Sequence, residues 1–349
     1  MKEQSKQKNG VGSQQDLMEK FIAALHESDQ ALFQNSRRSF LPIKKWKGLV
    51  LNRSKEVIEI EWDNLFIHSR PLAFQFLPPT LIKLKIENCM LSSSVEFKQL
   101  PAPLEVLELR DNTLSGEICL TELPGRLKVL DLSYNLFHGE VCLNHLPAKL
   151  RTLNISDNEL CGSVNLTQLP KTLEWLMLQN NDFEGEVDLC NLPETLVYCF
   201  LQHNIFSGEL NVENLPKKMM YFSANENTFS GEINLRKLPA TMRSFRSAYN
   251  DLSGAICCES LPRNMVEIDL AFNKFFGDVV LATLPPKMRK IHMQGNSFES
   301  YDIQGTIPRS LTEVIVDVKK SKTTERWSRG DEMDEQLEIN LVERCEKYH

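Results

Sequence analysis

Nine cysteines and seven histidines are the side chains of this 349-residue chain best suited to metal binding, redox chemistry or nucleophilic catalysis. The number of cysteines is odd and no Cys-x-x-Cys pair occurs, which argues against a disulfide framework and against a zinc site. Cys119, Cys142 and Cys257 instead share one position of a repeated pattern, and Cys199 takes the place of a repeated leucine. We therefore expect free cysteines that act as small hydrophobic residues.

The histidines show no spacing typical of metal ligands. His203 and His292 lie about four repeats apart, which corresponds to roughly 20 Å at the spacing of neighbouring strands. The chain also lacks a glycine-rich phosphate loop, a Gly-x-Ser-x-Gly motif, a His-Glu-x-x-His motif and the protein-kinase signatures. The sequence therefore predicts no catalytic residues, no metal, no cofactor and no small-molecule substrate, so we expect a protein that is not an enzyme.

The composition is that of an ordinary folded protein, with 42% hydrophobic and 25% charged residues. A net charge of -7 argues against binding to nucleic acid through neutralised phosphates. The N-terminus is polar and has no apolar run typical of a secretory signal, and no stretch reaches the roughly 20 apolar residues needed to span a bilayer. We expect a cytoplasmic protein that does not associate with membranes.

An internal repeat of 23 residues organises most of the chain. Leu-Pro recurs at this step from position 77 to position 284, and Ile307-Pro308 follows at the same step. The unit has the form LPxxLxxLxLxxNxFSGExxLxx. The LxxLxL segment alternates apolar and variable residues, which predicts a short strand with one buried face. The asparagine after the strand is expected to bind backbone groups where the chain turns, and the proline prevents a long helix on the opposite side.

The repeat resembles that of the leucine-rich repeat family. The resemblance implies an α/β solenoid shaped like a horseshoe, with short parallel strands on the concave face, extended or 3-10 segments on the convex face and a helical N-terminal cap. The Asn112–Ile118 element is similar to plant-type repeats, whereas LPxxLxxLxLxxN is more similar to bacterial and kinetoplastid types. The mixture resembles intracellular leucine-rich repeat proteins of protists such as kinetoplastids.

Four segments are expected along the chain. Residues 1–15 are predicted to be disordered, and residues 16–76 form a cap with a helix, begun by Asp16 as N-cap, and a degenerate first repeat. Residues 77–318 hold about eleven repeats, the last strand being expected at 311–316. Residues 319–349 form a charged cap or tail with room for a short helix at 333–346.

Variable positions around the strand leucines are the most informative part of the repeat. Four per repeat are expected on the concave face: the residue on each side of the second leucine, and the two before the asparagine. Aromatic residues concentrate there, and Tyr and Trp are common in binding hot spots. Aromatic stacking within the sheet, or cover by the chain's own ends, is the alternative explanation. The predicted partner-binding residues are Trp175, Met177, Tyr198, Phe200, Tyr221, Arg246, Tyr249, Asp269 and Phe272.

The sequence thus predicts a non-enzymatic scaffold that binds an unknown protein partner on its concave face. Trp175, Tyr198, Phe200 and Tyr221 would act as anchors and Met177 as an adaptable contact. Arg246 and Asp269 would set the orientation of the partner. Two alternatives remain open: a regulatory or targeting subunit of a phosphatase, cyclase or ubiquitin ligase, and an assembly component of the cytoskeleton or flagellum.

Overall fold

Parallel strands from successive repeats form one long sheet, as the LxxLxL pattern predicts. The structure, a computed structural model, describes residues 13–318, 326–328 and 338–343. Within this part of the chain, fourteen strands form the sheet, and only the first pair is antiparallel. The strands are Leu49–Leu51, Val57–Asp63, Lys83–Glu87, Val106–Glu108, Val129–Asp131, Thr152–Asn154, Trp175–Met177, Tyr198–Phe200, Tyr221–Ser223, Ser244–Arg246, Glu267–Asp269, Lys290–His292, Glu313–Val318 and Glu338–Glu343.

Shorter strands and, in six places among the described residues, a single 3-10 turn lie outside the long sheet. A five-stranded sheet contains Ser115–Gly116, Leu136–Glu140, Glu159–Gly162, Asp182–Glu186 and Ile205–Ser207, and a four-stranded sheet contains Ser253–Ala255, Lys274–Leu281, Ser297–Thr306 and Arg326–Ser328. The 3-10 turns are Ala31–Phe33, Ile43–Lys45, Phe74–Phe76, Phe97–Gln99, Leu120–Glu122 and Leu235–Lys237. The last four recur at multiples of the repeat, which confirms the expected extended and 3-10 segments opposite the long sheet.

The repeated leucines fill the interior of the solenoid. Leu173, Leu176 and Leu178 of one repeat are fully buried. The apolar residue two positions after each asparagine, leucine or phenylalanine, is also buried. Where neighbouring repeats both have phenylalanine the rings stack, with centroids 6.0 Å apart for Phe183 and Phe206. Each buried side chain of this size stabilises the fold by roughly 1.5–3 kcal/mol relative to exposure, so the core depends on every repeat contributing its share.

An asparagine ladder joins the repeats, as the sequence predicts. The Nδ2 of Asn181 donates to the carbonyl oxygens of Ile155 (3.0 Å), Leu178 (3.2 Å) and Gln179 (3.3 Å), and its Oδ1 accepts from the Leu160 amide (3.0 Å). The same pattern recurs at the other ladder positions. Because two of these contacts reach the preceding repeat, each asparagine satisfies the buried turns of two repeats at once.

Cys89 occupies the ladder position in the first clear repeat. Its Sγ lies 3.8 Å from the carbonyl oxygen of Trp62, in place of the amide contacts made elsewhere. Burial raises the pKa of the Cys89 thiol, and it raises the pKa of Cys199 and of Cys258 to about 12. The eight cysteines in the described part of the chain are free thiols.

The N-terminal cap closes one end of the solenoid with aromatic side chains. A helix over Gln14–Phe21 begins at Ser13, whose hydroxyl accepts from the amide of Asp16. Asp16 is therefore not the expected N-cap; it occupies the third helical position and completes a capping box with Ser13. A second helix, Glu27–Gln30, follows. Phe21 stacks on Trp62 with ring centroids 5.9 Å apart.

The described C-terminal segments are strands. Glu338–Glu343 pairs in parallel with Glu313–Val318, with Val314 opposite Ile339 and Val316 opposite Leu341. The expectation of a helix at 333–346 was wrong at 338–343, because Ile339 and Leu341 continue the period-two apolar pattern of the sheet. The strand at 313–318 is consequently not the last. The predicted disorder of residues 1–15 was wrong at Gln14 and Gln15, which begin the first helix, and residues 1–12 lie outside the described residues. The predicted character of the tail falls mostly outside the described residues as well.

The described residues contain neither a bilayer-spanning helix nor a metal-binding cluster. No helix among them is both long and apolar enough to cross a bilayer. No group of three or more histidine, cysteine, aspartate or glutamate side chains in these same segments is arranged to hold a metal ion.

Candidate functional site: the concave face

Three aromatic side chains form a stack on the long sheet, which we call the aromatic stack. Parallel pairing places Trp175 opposite Tyr198 and Tyr198 opposite Tyr221. The rings of Trp175 and Tyr198 lie 3.5 Å apart at 14°, and those of Tyr198 and Tyr221 lie 5.0 Å apart at 3°. Their position beside the buried residues Leu176, Cys199 and Phe222 sends all three rings to the face opposite the core.

Met177 and Phe200 extend this surface by one row. They pair with each other in register, and the Phe200 ring meets Tyr198 edge-on at 6.3 Å. These two residues and the aromatic stack are all half-buried, and we refer to the five together as the aromatic patch. The structure therefore brings together the five apolar residues that the sequence singled out.

Stacking accounts for part of this arrangement without any partner. Aromatic pairs contribute roughly 0.5–1.5 kcal/mol each beyond the area they bury. The stacked rings cover one another's inner faces. Their edges therefore face the open side of the sheet on the concave face, which we call the groove. At the two ends the neighbours in register are small: Thr152 beside Trp175, and Ser244 beside Tyr221. The outer ring faces at both ends are thus not covered by another ring.

Tyr249 and Phe272 belong to a different row. The sequence predicts that the two residues before each asparagine lie on the strand face, but the residue directly before it has a positive φ, 54° at Tyr249 and 52° at Phe272. This left-handed conformation turns the chain out of the sheet. The two rings stack on each other at 4.4 Å and 14°, and they are 51% and 42% exposed. They form a separate aromatic pair and are not part of the aromatic patch.

Arg246 and Asp269 lie in register on the long sheet but are not each other's ion-pair partner. Arg246 binds Glu267 at 2.6 Å instead. The Asp269 carboxylate accepts a hydrogen bond from the Ala271 amide at 3.2 Å. Burial raises the pKa of the Asp269 carboxyl, against the lowering effects of that hydrogen bond and of nearby His292. Asp269 is consequently a partly desolvated carboxylate at the floor of the groove.

Four polar residues that the sequence did not single out border the patch. Ser223 and Ser244 are 6% and 8% exposed, and they interrupt rows that otherwise carry large side chains. The Oε1 atoms of Gln179 and Gln202 are buried and have no hydrogen-bond partner among the described residues. The signal in the sequence is a small residue that stands between large residues at the same position of neighbouring repeats.

The N-terminal part of the same sheet carries a charged stretch, defined by Lys83, Lys85, Glu87, Glu108 and Arg110. The Lys85 Nζ lies 3.0 Å from both Glu87 and Glu108, and the Arg110 Nε lies 3.2 Å from Glu87. Lys83 pairs with a glutamate of the preceding strand. The charges of this stretch are therefore engaged within the molecule.

Comparisons with known proteins support the fold. No family model and no curated protein matches the sequence. Among solved structures, PEPR1–AtPEP1 matches with a TM-score of 0.62 and 18% identity, covering 87% of this chain and 51% of that one. A plant ice-binding protein matches with a TM-score of 0.56 and 19% identity over 86% and 89% of the two chains. YopM from Yersinia enterocolitica matches with a TM-score of 0.51 and 21% identity over 82% and 63%.

The chain spans 51% of the PEPR1–AtPEP1 structure and 56% of a TDR receptor structure, so the likeness extends over about half their length. At these identities the matches establish architecture. Together with the 23-residue repeat, the parallel sheet and the asparagine ladder, they show that the chain is a leucine-rich repeat solenoid.

Proposed function

We propose that the protein is a non-enzymatic interaction scaffold that binds a protein partner on its concave face, centred on the aromatic patch. The observation that carries this proposal is the concentration of five large apolar side chains on three adjacent strands, all half-buried and all outside the core. An apolar surface of this kind on a soluble repeat protein is typical of an interaction site.

The scaffold supports such a role because it is already ordered. The asparagine ladder and the leucine core fix each strand, so the patch residues have little backbone freedom to lose on binding. Trp175, Tyr198 and Tyr221 restrain one another further by stacking. Binding energy is then concentrated in a few rigid anchors, which is the usual pattern at protein interfaces.

The comparisons favour a binding role over a catalytic one. The solved structure with a TM-score of 0.62 is named PEPR1–AtPEP1, for two components, and its solenoid has the same architecture. The eight free thiols agree with a reducing compartment, so we further propose a cytoplasmic location. Nucleic acid, membranes and small-molecule substrates are not part of this proposal.

The test replaces the two most tightly stacked rings. Trp175→Ala with Tyr198→Ala should reduce capture of partners from a cell lysate by at least about tenfold, because hot-spot truncations typically cost ~2 kcal/mol or more. The matched control is Val106→Ala with Val129→Ala, which truncates half-buried residues of the same row outside the patch. Quantitative mass spectrometry measures capture, and circular dichroism verifies folding. An unchanged set of captured proteins from a folded patch variant would overturn the proposal.

A further inference from the structure

A notch with polar hydroxyls at its floor lies at the end of the aromatic stack, and we call it the serine notch. Ser223 has Phe200 on one side in register and Arg246 on the other. Ser244 has Tyr221 on one side and Glu267 on the other. Two aromatic rings therefore form one wall, and the Arg246–Glu267 ion pair forms the opposite wall. Neither serine hydroxyl has a hydrogen-bond partner among the described residues.

The strand spacing sets the width of the notch, and its serine floor is buried. Its walls stand two strands apart, or about 10 Å between backbones. The uncovered outer face of Tyr221 and the ring of Phe200 supply apolar contact, and the stem of Arg246 supplies more from the other side. An aliphatic or aromatic side chain inserted between them would continue the aromatic stack across Ser244.

Asp269 lies two strands beyond Ser223 on the same row. Its nearest basic neighbours are directed elsewhere: Arg246 binds Glu267, and His292 lies 3.3 Å from Glu313. Asp269 forms no ion pair with any other residue of 13–318. A partly desolvated carboxylate gains more from a cationic partner than an exposed one does, because less water competes for it.

We propose that the occupant of the groove is an extended peptide segment with an apolar side chain and a lysine or arginine two to four residues away. The apolar side chain fills the serine notch and the cation pairs with Asp269, because about 10 Å along the groove corresponds to about three residues of extended chain. This inference rests on the proposed function and adds the chemistry of the partner.

Random peptides are selected on the intact chain by phage display, and the affinity of the selected peptides is measured by fluorescence anisotropy. Enrichment of an apolar residue with Lys or Arg two to four positions away is expected. Asp269→Asn should weaken these peptides by roughly tenfold, in line with a charge-assisted hydrogen bond. Asp269→Lys should abolish their binding and select peptides with Asp or Glu at that position. Ser223→Leu should weaken all of them by filling the notch.

Asp131→Asn is the matched control for Asp269. Asp131 lies on the same row, and it accepts a hydrogen bond from the backbone amide two residues later, as Asp269 does. The Asp131→Asn substitution should leave the affinity for the selected peptides unchanged.

The outcomes separate the two proposals. Peptides that depend on Trp175 and Tyr198 but lack a basic residue, or bind Asp269→Asn equally well, overturn the basic-peptide inference and leave the scaffold in place. Failure to select any peptide also overturns this inference, while capture from lysate still decides the scaffold. Selected peptides that bind the Trp175→Ala, Tyr198→Ala variant unchanged, and that also bind Asp269→Asn and Ser223→Leu unchanged, contradict both.

Discussion

The charged stretch and the aromatic patch lie on the same face of one sheet, yet they differ in how their side chains are satisfied. In the charged stretch Glu87 is held by Lys85 and Arg110, and Lys85 also contacts Glu108. In and beside the patch, two glutamine oxygens have no partner among the described residues, and the Asp269 carboxylate has no ion pair there. The two regions therefore share the same backbone arrangement, but only the charged stretch has all its charged side chains paired.

This difference indicates where a partner adds most. A ligand on the charged stretch would have to break ion pairs that already exist, at a cost in desolvation that new contacts must recover. A ligand on the patch and the strands beside it would cover ring edges and supply an ion-pair partner to Asp269. The two regions therefore serve as internal controls for each other, and the predictions below use them in this way.

The largest expected effect should be equal in both regions. Asn181→Ala beneath the patch and Asn112→Ala beneath the charged stretch each remove a ladder amide with several backbone contacts. Each should lower the free energy of unfolding by about 3 kcal/mol, because buried backbone groups lose their partners. Urea denaturation measures this, with exposed Asn191→Ala as the control. A loss confined to one variant would show that the two regions do not share one framework.

An intermediate effect should separate the regions by salt dependence. Glu87→Gln removes the charge shared by Lys85 and Arg110, and should lower the free energy of unfolding by about 1–2 kcal/mol at low salt. The loss should shrink in 1 M salt, roughly the concentration at which the Debye length falls to about 3 Å. Tyr198→Phe keeps the ring stack and should behave alike at both salt concentrations. Salt-independent loss in Glu87→Gln would contradict the ion-pair account.

The smallest expected effect has the opposite sign. The folded-state pKa of Asp269 is raised above its ordinary 3.8, so this carboxyl contributes stability below that pH and loses it as the pH rises through the folded pKa. Asp269→Asn should therefore slightly increase the free energy of unfolding at pH 7 and leave it unchanged below pH 3.8. Thermal unfolding across this range measures the difference. A decrease at pH 7 would mean that the carboxylate is already well paired.

The fold was largely predictable from the sequence because the residues that recur every 23 positions are also the residues that are buried. Leu173, Leu176 and Leu178 mark a strand and its buried face, and the step of 23 residues fixes the register of every neighbour. The aromatic stack followed from the same spacing. The strand at 338–343 was missed because its three apolar residues, Ile339, Leu341 and Val342, lie among charged and polar ones, a pattern that suits a helix as well until a neighbouring strand is known.

The site was less predictable, for two physical reasons. The positive φ before each ladder asparagine is set by the turn, and residues as different as Asp157, His203 and Tyr249 adopt it, so composition does not reveal it. The serine notch depends on what stands beside Ser223 and Ser244 in adjacent repeats. Small hydroxyl residues carry no signal alone, and they matter here because their neighbours are large.

The asparagine ladder also restricts how the chain can change length. Each amide binds a carbonyl 26 residues earlier, so a loop insertion inside a turn would break the step, whereas a tandem duplication of one whole unit would preserve it. Distances between features on the concave face can thus change only in increments of about 4.8 Å. The separation of Ser223 in the serine notch from Asp269 is in this sense fixed at two repeat steps.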